Sequence, residues 1–113
     1  LSAAEIGAAV RELHAAAEAN RLRAEDLQGA TFTVSNLGMH AVDRFSAIVN
    51  PPAVAILAVG RLTAEVLAVD GEPAVRSVIQ VTLSCDHRVV DGVLGARFLA
   101  ALDEVIQDPG SLD

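Results

Sequence analysis

The chain has 113 residues, 52% of them hydrophobic and only 3% aromatic, and eight basic residues against fifteen acidic ones give a formal charge of −7. That balance excludes nucleic acid or an anionic membrane surface as the natural partner. No apolar run reaches the roughly 18 residues that cross a bilayer, and the length suits one small domain or part of one. The N-terminus lacks the basic, apolar and small-residue order of a secretion signal, which predicts a soluble, intracellular protein without membrane contact. A lone Cys85 cannot close an internal disulfide, and with three scattered histidines it makes no metal-ligand pattern, so no metal is expected.

Ser2-Ala3-Ala4-Glu5 is a capping-box pattern, and Ile6, Val10, Leu13 and Ala17 then recur at helical spacing to about Asn20. His14 falls within this helix as a surface or partly buried residue. Arg23 to Gly29 reads as a short helical turn ended by glycine. A strand follows from Thr31 to Ser35, rich in β-branched and aromatic residues. Ser35-Asn36-Leu37-Gly38 closes it in a tight turn, where serine and asparagine can satisfy their own backbone. His40 is read as a solvated loop residue.

Pro51-Pro52 forbids helix at the next boundary, and Ala53 to Leu62 is a nearly unbroken apolar run, predicting a strand covered on both faces. Asp70-Gly71 between two extended stretches is a hairpin signal. Beyond it Val75, Ile79, Val81, Leu83 and Cys85 alternate with Arg76, Gln80, Thr82, Ser84 and Asp86, although Ser77 and Val78 break the pattern. This period of two predicts one long strand feeding His87.

If that strand persists to His87, the ring shares a face with Cys85 and Leu83. Burial there would favour the neutral imidazole, which can accept a proton. From Val93 onward Leu94, Phe98, Leu102, Val105 and Ile106 predict a helix. Structural readings stand beside the chemical one. Asp91 is well placed to cap the helix, Gly92 to relax the turn, and a single histidine beside an apolar face can be a satisfied structural residue. Spacing alone leaves both open.

Asp86-His87-Arg88-Val89-Val90-Asp91-Gly92 resembles the His-x-x-x-Asp-Gly signature of the dihydrolipoamide acyltransferases, the core components of 2-oxo acid dehydrogenase complexes. A second block resembles the same family: Thr31 to Met39, then Phe45 to Pro52 and Ala55 to Gly60. The resemblance covers nearly the whole chain, residues 1–113, and corresponds to the C-terminal portion of that family's catalytic domain. It implies an α/β (α+β) two-layer sandwich similar to chloramphenicol acetyltransferase, with a mixed β-sheet and flanking helices.

The activity so implied moves an acyl group between dihydrolipoamide and coenzyme A, both substrates, with the lipoyl group carried on a domain outside this chain. By the same resemblance His87 is the general base on the thiol and Ser35 donates to the oxyanion. Asp91 completes the set, chiefly by holding the loop through an arginine from the domain's first half. Asn36, Leu37 and Gly38 are expected beside the substrate. The coenzyme's phosphates would need basic residues such as Arg44, Arg61, Arg76 or Arg88, or others outside the chain. The implied partners are copies of itself in a homotrimer or larger core, with His87 and Asp91 facing Ser35 of a neighbour, and the dehydrogenase and dihydrolipoamide dehydrogenase subunits. The implied location is the bacterial cytoplasm, or the mitochondrial matrix in a eukaryote. The tail, Asp108 to Asp113, is more polar than the apolar end that such proteins use for assembly beyond the trimer. A non-catalytic assembly fragment and a hydrolase using Ser35, His87 and Asp91 as a triad are the alternative readings.

Overall fold

The structure, a computed structural model, describes residues 1–112; of the tail considered above, Asp113 lies outside them. The chain divides into two compact units, one of Leu1–Ala30 with Ala96–Asp113 and one of Thr31–Gly95.

In the first unit, α1 spans Ala3–Glu18. The capping box is present in full: Ser2 Oγ accepts from the Glu5 N–H, and the Glu5 carboxylate accepts from the Ser2 N–H. The helix stops because Asn20 takes a left-handed φ of 56°. The N–H groups of Asn20 and Arg21 then reach back to the carbonyls of Ala17 and Ala16, satisfying the open end. A 3-10 turn over Ala24–Leu27 follows, as expected, with Gly29 at positive φ behind it. His14 lies exposed beside Glu18 one helical turn on.

The second unit holds five strands: β1 (Phe32–Asn36), β2 (Ala55–Val59), β3 (Thr63–Val69), β4 (Glu72–Val78) and β5 (Val81–Cys85). One mixed sheet has the order β1-β2-β5, with β1 and β2 parallel and β2 and β5 antiparallel. β2 is its centre, and the buried apolar residues are Ala53, Ala55, Leu57 and Ala58. Ala55 and Leu57 point to one face and Ala58 to the other, so the strand is covered on both, as its apolar run predicts. It is shorter than that run and stops at Val59.

β3 and β4 form a separate hairpin. Asp70 and Gly71, both at positive φ, make its two-residue turn and match the twist of the strands. Glu65 faces Arg76 on one side of the ribbon. On the other, Val66 lies opposite Val75, 69% and 66% exposed, in an uncharged row with Ala64, Ala68, Pro73 and Ser77. That row is apolar, yet nothing in this unit covers it.

The single long strand expected ahead of His87 is corrected here. β4 and β5 belong to different sheets, and Ile79-Gln80 separates them. The break at Ser77 and Val78 was the boundary: a one-residue slip in parity moves side chains to the other face, which one continuous strand cannot absorb. The second helix, α2, spans Gly92–Gln107. Its first turn lies against β5, where a Cβ on Gly95 would be in ordinary contact with Cys85 Sγ at 3.6 Å and Leu83 Cδ2 at 3.7 Å. The mixed sheet and two long helices belong to the expected α+β class.

Candidate functional site

Ser35 sits near the end of β1, level with Ala58 of β2, which is level in turn with Thr82 of β5. Directly paired residues share a sheet face, so Ser35 lies on the side opposite Leu83 and Cys85, where α2 begins. It is half-buried, and its hydroxyl has no hydrogen-bond partner among the described residues. Asn36 behaves as expected of a turn residue, its Oδ1 accepting the Gly38 N–H at 2.7 Å. The Leu37 N–H donates to the Val59 carbonyl. Asn36 Oδ1 and the Leu37 and Gly38 N–H groups are thus spent on holding the loop, and the Ser35 hydroxyl stays available as a donor.

Two longer-range contacts fix this loop. Arg61 Nε pairs with Asp43, and the Arg61 N–H donates to the Val42 carbonyl. Gly60 lies under the same segment: a Cβ there would stand 2.7 Å from the Asp43 carbonyl carbon, closer still to its oxygen, and 3.2 Å from the Val42 oxygen. Only a residue without a side chain fits beneath this backbone. Gly60→Ala should therefore push the 42–44 loop off the sheet and destabilise the fold by about 1–3 kcal/mol, the usual cost of overpacking. Thermal denaturation checks this, and an unchanged melting temperature would refute it.

At the other end of β5 the chain turns sharply. The Asp86 N–H donates to the Val54 carbonyl, and the Asp86 carbonyl accepts from Val89 and Val90. Arg88 meets the Asp86 carboxylate with its guanidinium fork, Nε at 3.0 Å and Nη2 at 2.8 Å, and with its own N–H at 3.0 Å. Those bonds, the side-chain ones foremost, hold the Asp86 carboxyl below the usual carboxylate range; partial desolvation opposes them weakly, and a charged His87 adds a smaller lowering. The folded-state value is depressed, so the pair's contribution is present above the ordinary value of 3.8. It is lost as the pH falls through the depressed one.

His87 lies between these two residues and is exposed, as is Asp91. The expectation of a ring buried beside Cys85 is corrected: β5 ends at Cys85, and the turn at Asp86 takes His87 off the sheet. Asp91 caps α2, its Oδ1 accepting the Leu94 N–H at 2.8 Å, and no hydrogen bond or ion pair joins it to His87 among the described residues.

The structure does not bring Ser35 and His87 together. The step from Thr82 to Cys85 covers about 10 Å, and the width of β2 separates β1 from β5 by about another 10 Å, so the backbone at Ser35 and at Cys85 stands about 14 Å apart. His87 leaves from that far end. An open hollow of about 510 Å³ is lined by Ala41, Val42, Asp43, Arg44 and Gln80, and none of Ser35, His87 or Asp91 lines it. Of the arginines considered for phosphate, Arg61 and Arg88 are engaged by Asp43 and Asp86. Arg76 reaches only the Val75 carbonyl, at 3.4 Å, and Arg44 has no partner among the described residues. No group of three or more metal-ligating side chains occurs among the described residues, and no helix among them is long and apolar enough to cross a membrane.

Sequence reasoning missed two contributors, Gly60 and the Asp86–Arg88 pair. The first acts through a contact between segments distant in sequence, which no local pattern encodes. The second had a readable signal, a carboxylate and an arginine two residues apart where a strand ends.

The chain is 42% identical over 105 residues to the dihydrolipoyllysine-residue acetyltransferase component of the pyruvate dehydrogenase complex of Rickettsia felis, covering 93% of this chain and 26% of that protein. It is 48% identical over 110 residues to the mitochondrial component 3 of the same name from Arabidopsis thaliana, covering 95% and 20%. Among solved structures, the cubic core of the pyruvate dehydrogenase multienzyme complex superposes with a TM-score of 0.91 at 35% identity, over 99% of this chain and 46% of that one. Azotobacter vinelandii dihydrolipoamide acetyltransferase superposes with a TM-score of 0.89 at 37% identity, over 96% and 44%. The latter was studied for the roles of a serine, a histidine and an asparagine in its catalytic mechanism, the serine 52 residues before the histidine and the asparagine four after it. The chain thus spans about a quarter of the length of such curated relatives and under half of the solved chains. A family model described as 2-oxoacid dehydrogenases acyltransferase (catalytic domain) matches residues 1–112, and the chain belongs to that family.

Proposed function

We propose that residues 1–113 form the C-terminal portion of the catalytic domain of a dihydrolipoamide acyltransferase, and that its reaction passes an acyl group between dihydrolipoamide and coenzyme A. The curated relatives are named as acetyltransferases of pyruvate dehydrogenase complexes, which favours acetyl as the group carried. His87 takes the proton from the attacking thiol, and the thiolate adds to the thioester carbonyl. The oxyanion accepts a hydrogen bond from the Ser35 hydroxyl. Collapse of the adduct expels the second sulfur, which takes the proton back from the imidazolium.

One observation carries the reading: Ser35, His87 and Asp91 have the same separations, 52 and four residues, as the serine, histidine and asparagine studied in the Azotobacter vinelandii enzyme. Aspartate and asparagine are near-equal helix caps. The bond from Asp91 to the Leu94 N–H supports reading this position as a cap that either residue could fill. The role of Asp91 is to seat the loop on α2.

Because Ser35 and His87 leave opposite ends of one sheet, the site is assembled between subunits, His87 of one chain facing Ser35 of the next, in a trimer or larger core. The uncovered apolar row around Val66 and Val75 is consistent with surface that the complete, assembled domain covers. The other partners are the dehydrogenase and dihydrolipoamide dehydrogenase subunits, with the lipoyl group arriving on a separate domain. The location is the cytoplasm in a bacterium and the mitochondrial matrix in a eukaryote.

The test is an acyl-exchange assay on the complete assembled chain with acetyl-coenzyme A and dihydrolipoamide. Transfer to the lipoyl thiol is expected, and residues 1–113 alone should give little or none, since half of the catalytic domain cannot exclude water or hold both thiols. An assembled protein that transferred neither acetyl nor succinyl nor branched acyl groups would overturn the reading.

A further inference from the structure

We propose that the Asp86–Arg88 pair is a positioning device for His87, a two-point clamp that fixes the backbone on either side of the histidine and so the direction in which its ring leaves the sheet. The inference rests on the reading of His87 as the general base and deepens it.

His87 is exposed and its side chain makes no hydrogen bond among the described residues. Among the described residues no side chain or backbone group hydrogen-bonds the ring, so the backbone that carries it sets its direction. That backbone is held at Asp86, whose polar atoms are all engaged. Its N–H is on the Val54 carbonyl at 2.8 Å, and its carbonyl takes the Val89 and Val90 N–H groups, both at 2.9 Å. Its carboxylate takes three donors from Arg88. The Asp86 side chain is 16% exposed and that of Arg88 is 79% exposed, so the arginine folds back over an anchored carboxylate.

An exposed ion pair adds little to global stability. Its value here is geometric: the planar fork accepts one carboxylate orientation, and the added bond from the Arg88 N–H closes a ring of contacts around His87. Lysine is a point donor and cannot reproduce the fork. The effect on the reaction comes from placement, since a catalytic group displaced by about 1 Å can lose on the order of 100-fold in rate.

Asp86→Asn, Arg88→Lys and the double variant test this in the complete assembled chain, with His87→Ala beside them in the same assay. Asparagine keeps the bond to Val54 and one acceptor oxygen, and lysine keeps the charge, so both variants should fold, as melting temperatures would verify. The expected result is a kcat lower by on the order of 10- to 100-fold in each single variant, with KM for both thiols unchanged. The double variant should be no worse than the poorer single one, because each removes the same clamp. A merely structural role would not leave KM intact while kcat falls. Wild-type kcat in both single variants, with His87→Ala inactive, would overturn the clamp and leave the general base standing. A raised KM for coenzyme A at unchanged kcat in Arg88→Lys would make Arg88 an anchor for the coenzyme's phosphates and also overturn the clamp. Full activity in His87→Ala would remove both.

Discussion

His87→Ala in the complete assembled chain should lower kcat for acyl transfer by about 10²–10⁴-fold, the range that a positioned general base supplies. The reason lies in the proton balance. A thiol near ~8.5 and an imidazole near ~6.5 differ by about two units, so the transfer is uphill by roughly 3 kcal/mol before the site adjusts either group. The thiolate is a far better nucleophile than the thiol, and without the ring it must form by loss of a proton to water. Because His87 is exposed and makes no side-chain hydrogen bond among the described residues, the substitution should leave the melting temperature within the small range typical of surface changes. Kinetics and thermal denaturation on one preparation separate the two effects. Retention of full activity would favour the non-catalytic assembly reading.

Ser35→Ala should cost about 10²–10³-fold in kcat, or about 2.7–4 kcal/mol of transition-state stabilisation, the usual loss for one oxyanion donor. Its hydroxyl is unpartnered among the described residues, while its neighbours Asn36, Leu37 and Gly38 are held by bonds that do not involve it. Removing the oxygen should therefore leave the loop in place. KM for both thiols should hold, because the oxyanion exists only in the tetrahedral adduct. A covalent acyl group on Ser35 of the unsubstituted protein, detected by mass spectrometry, would instead support a hydrolase triad. The about 14 Å between the Ser35 and Cys85 backbones argues against such a triad within one chain.

Much of this architecture is legible in the residues. Ser2 and Glu5 announce the start of α1, and Asp70-Gly71 announces the hairpin, because caps and two-residue turns depend on local chemistry. The run through Ala53 to Leu62 correctly marks the central strand. Its end is not legible, because Gly60 is apolar in pattern and leaves the strand through a contact with Asp43 far away in sequence. Alternation from Val75 to Asp86 suggests one strand where there are two. The lapse at Ser77 and Val78 held the answer. Extending that alternation puts His87 on the buried face, and the extension fails because Asp86 spends its N–H on Val54 and its carboxylate on Arg88, which turns the chain. The role proposed for Ser35 comes from family resemblance; composition and spacing read it only as a turn residue.

The most direct measurement mixes two impaired proteins. Complete chains carrying Ser35→Ala and chains carrying His87→Ala are dissociated, combined in equal amounts and reassembled, and acyl transfer is measured. If each site joins His87 of one chain to Ser35 of its neighbour, an interface between the two variants has both groups intact. Random mixing in a closed cyclic assembly then restores about a quarter of wild-type activity. If both groups of a site come from one chain, every site stays defective. Activity no higher than that of the separate variants, with subunit exchange verified by mass spectrometry, would contradict the account.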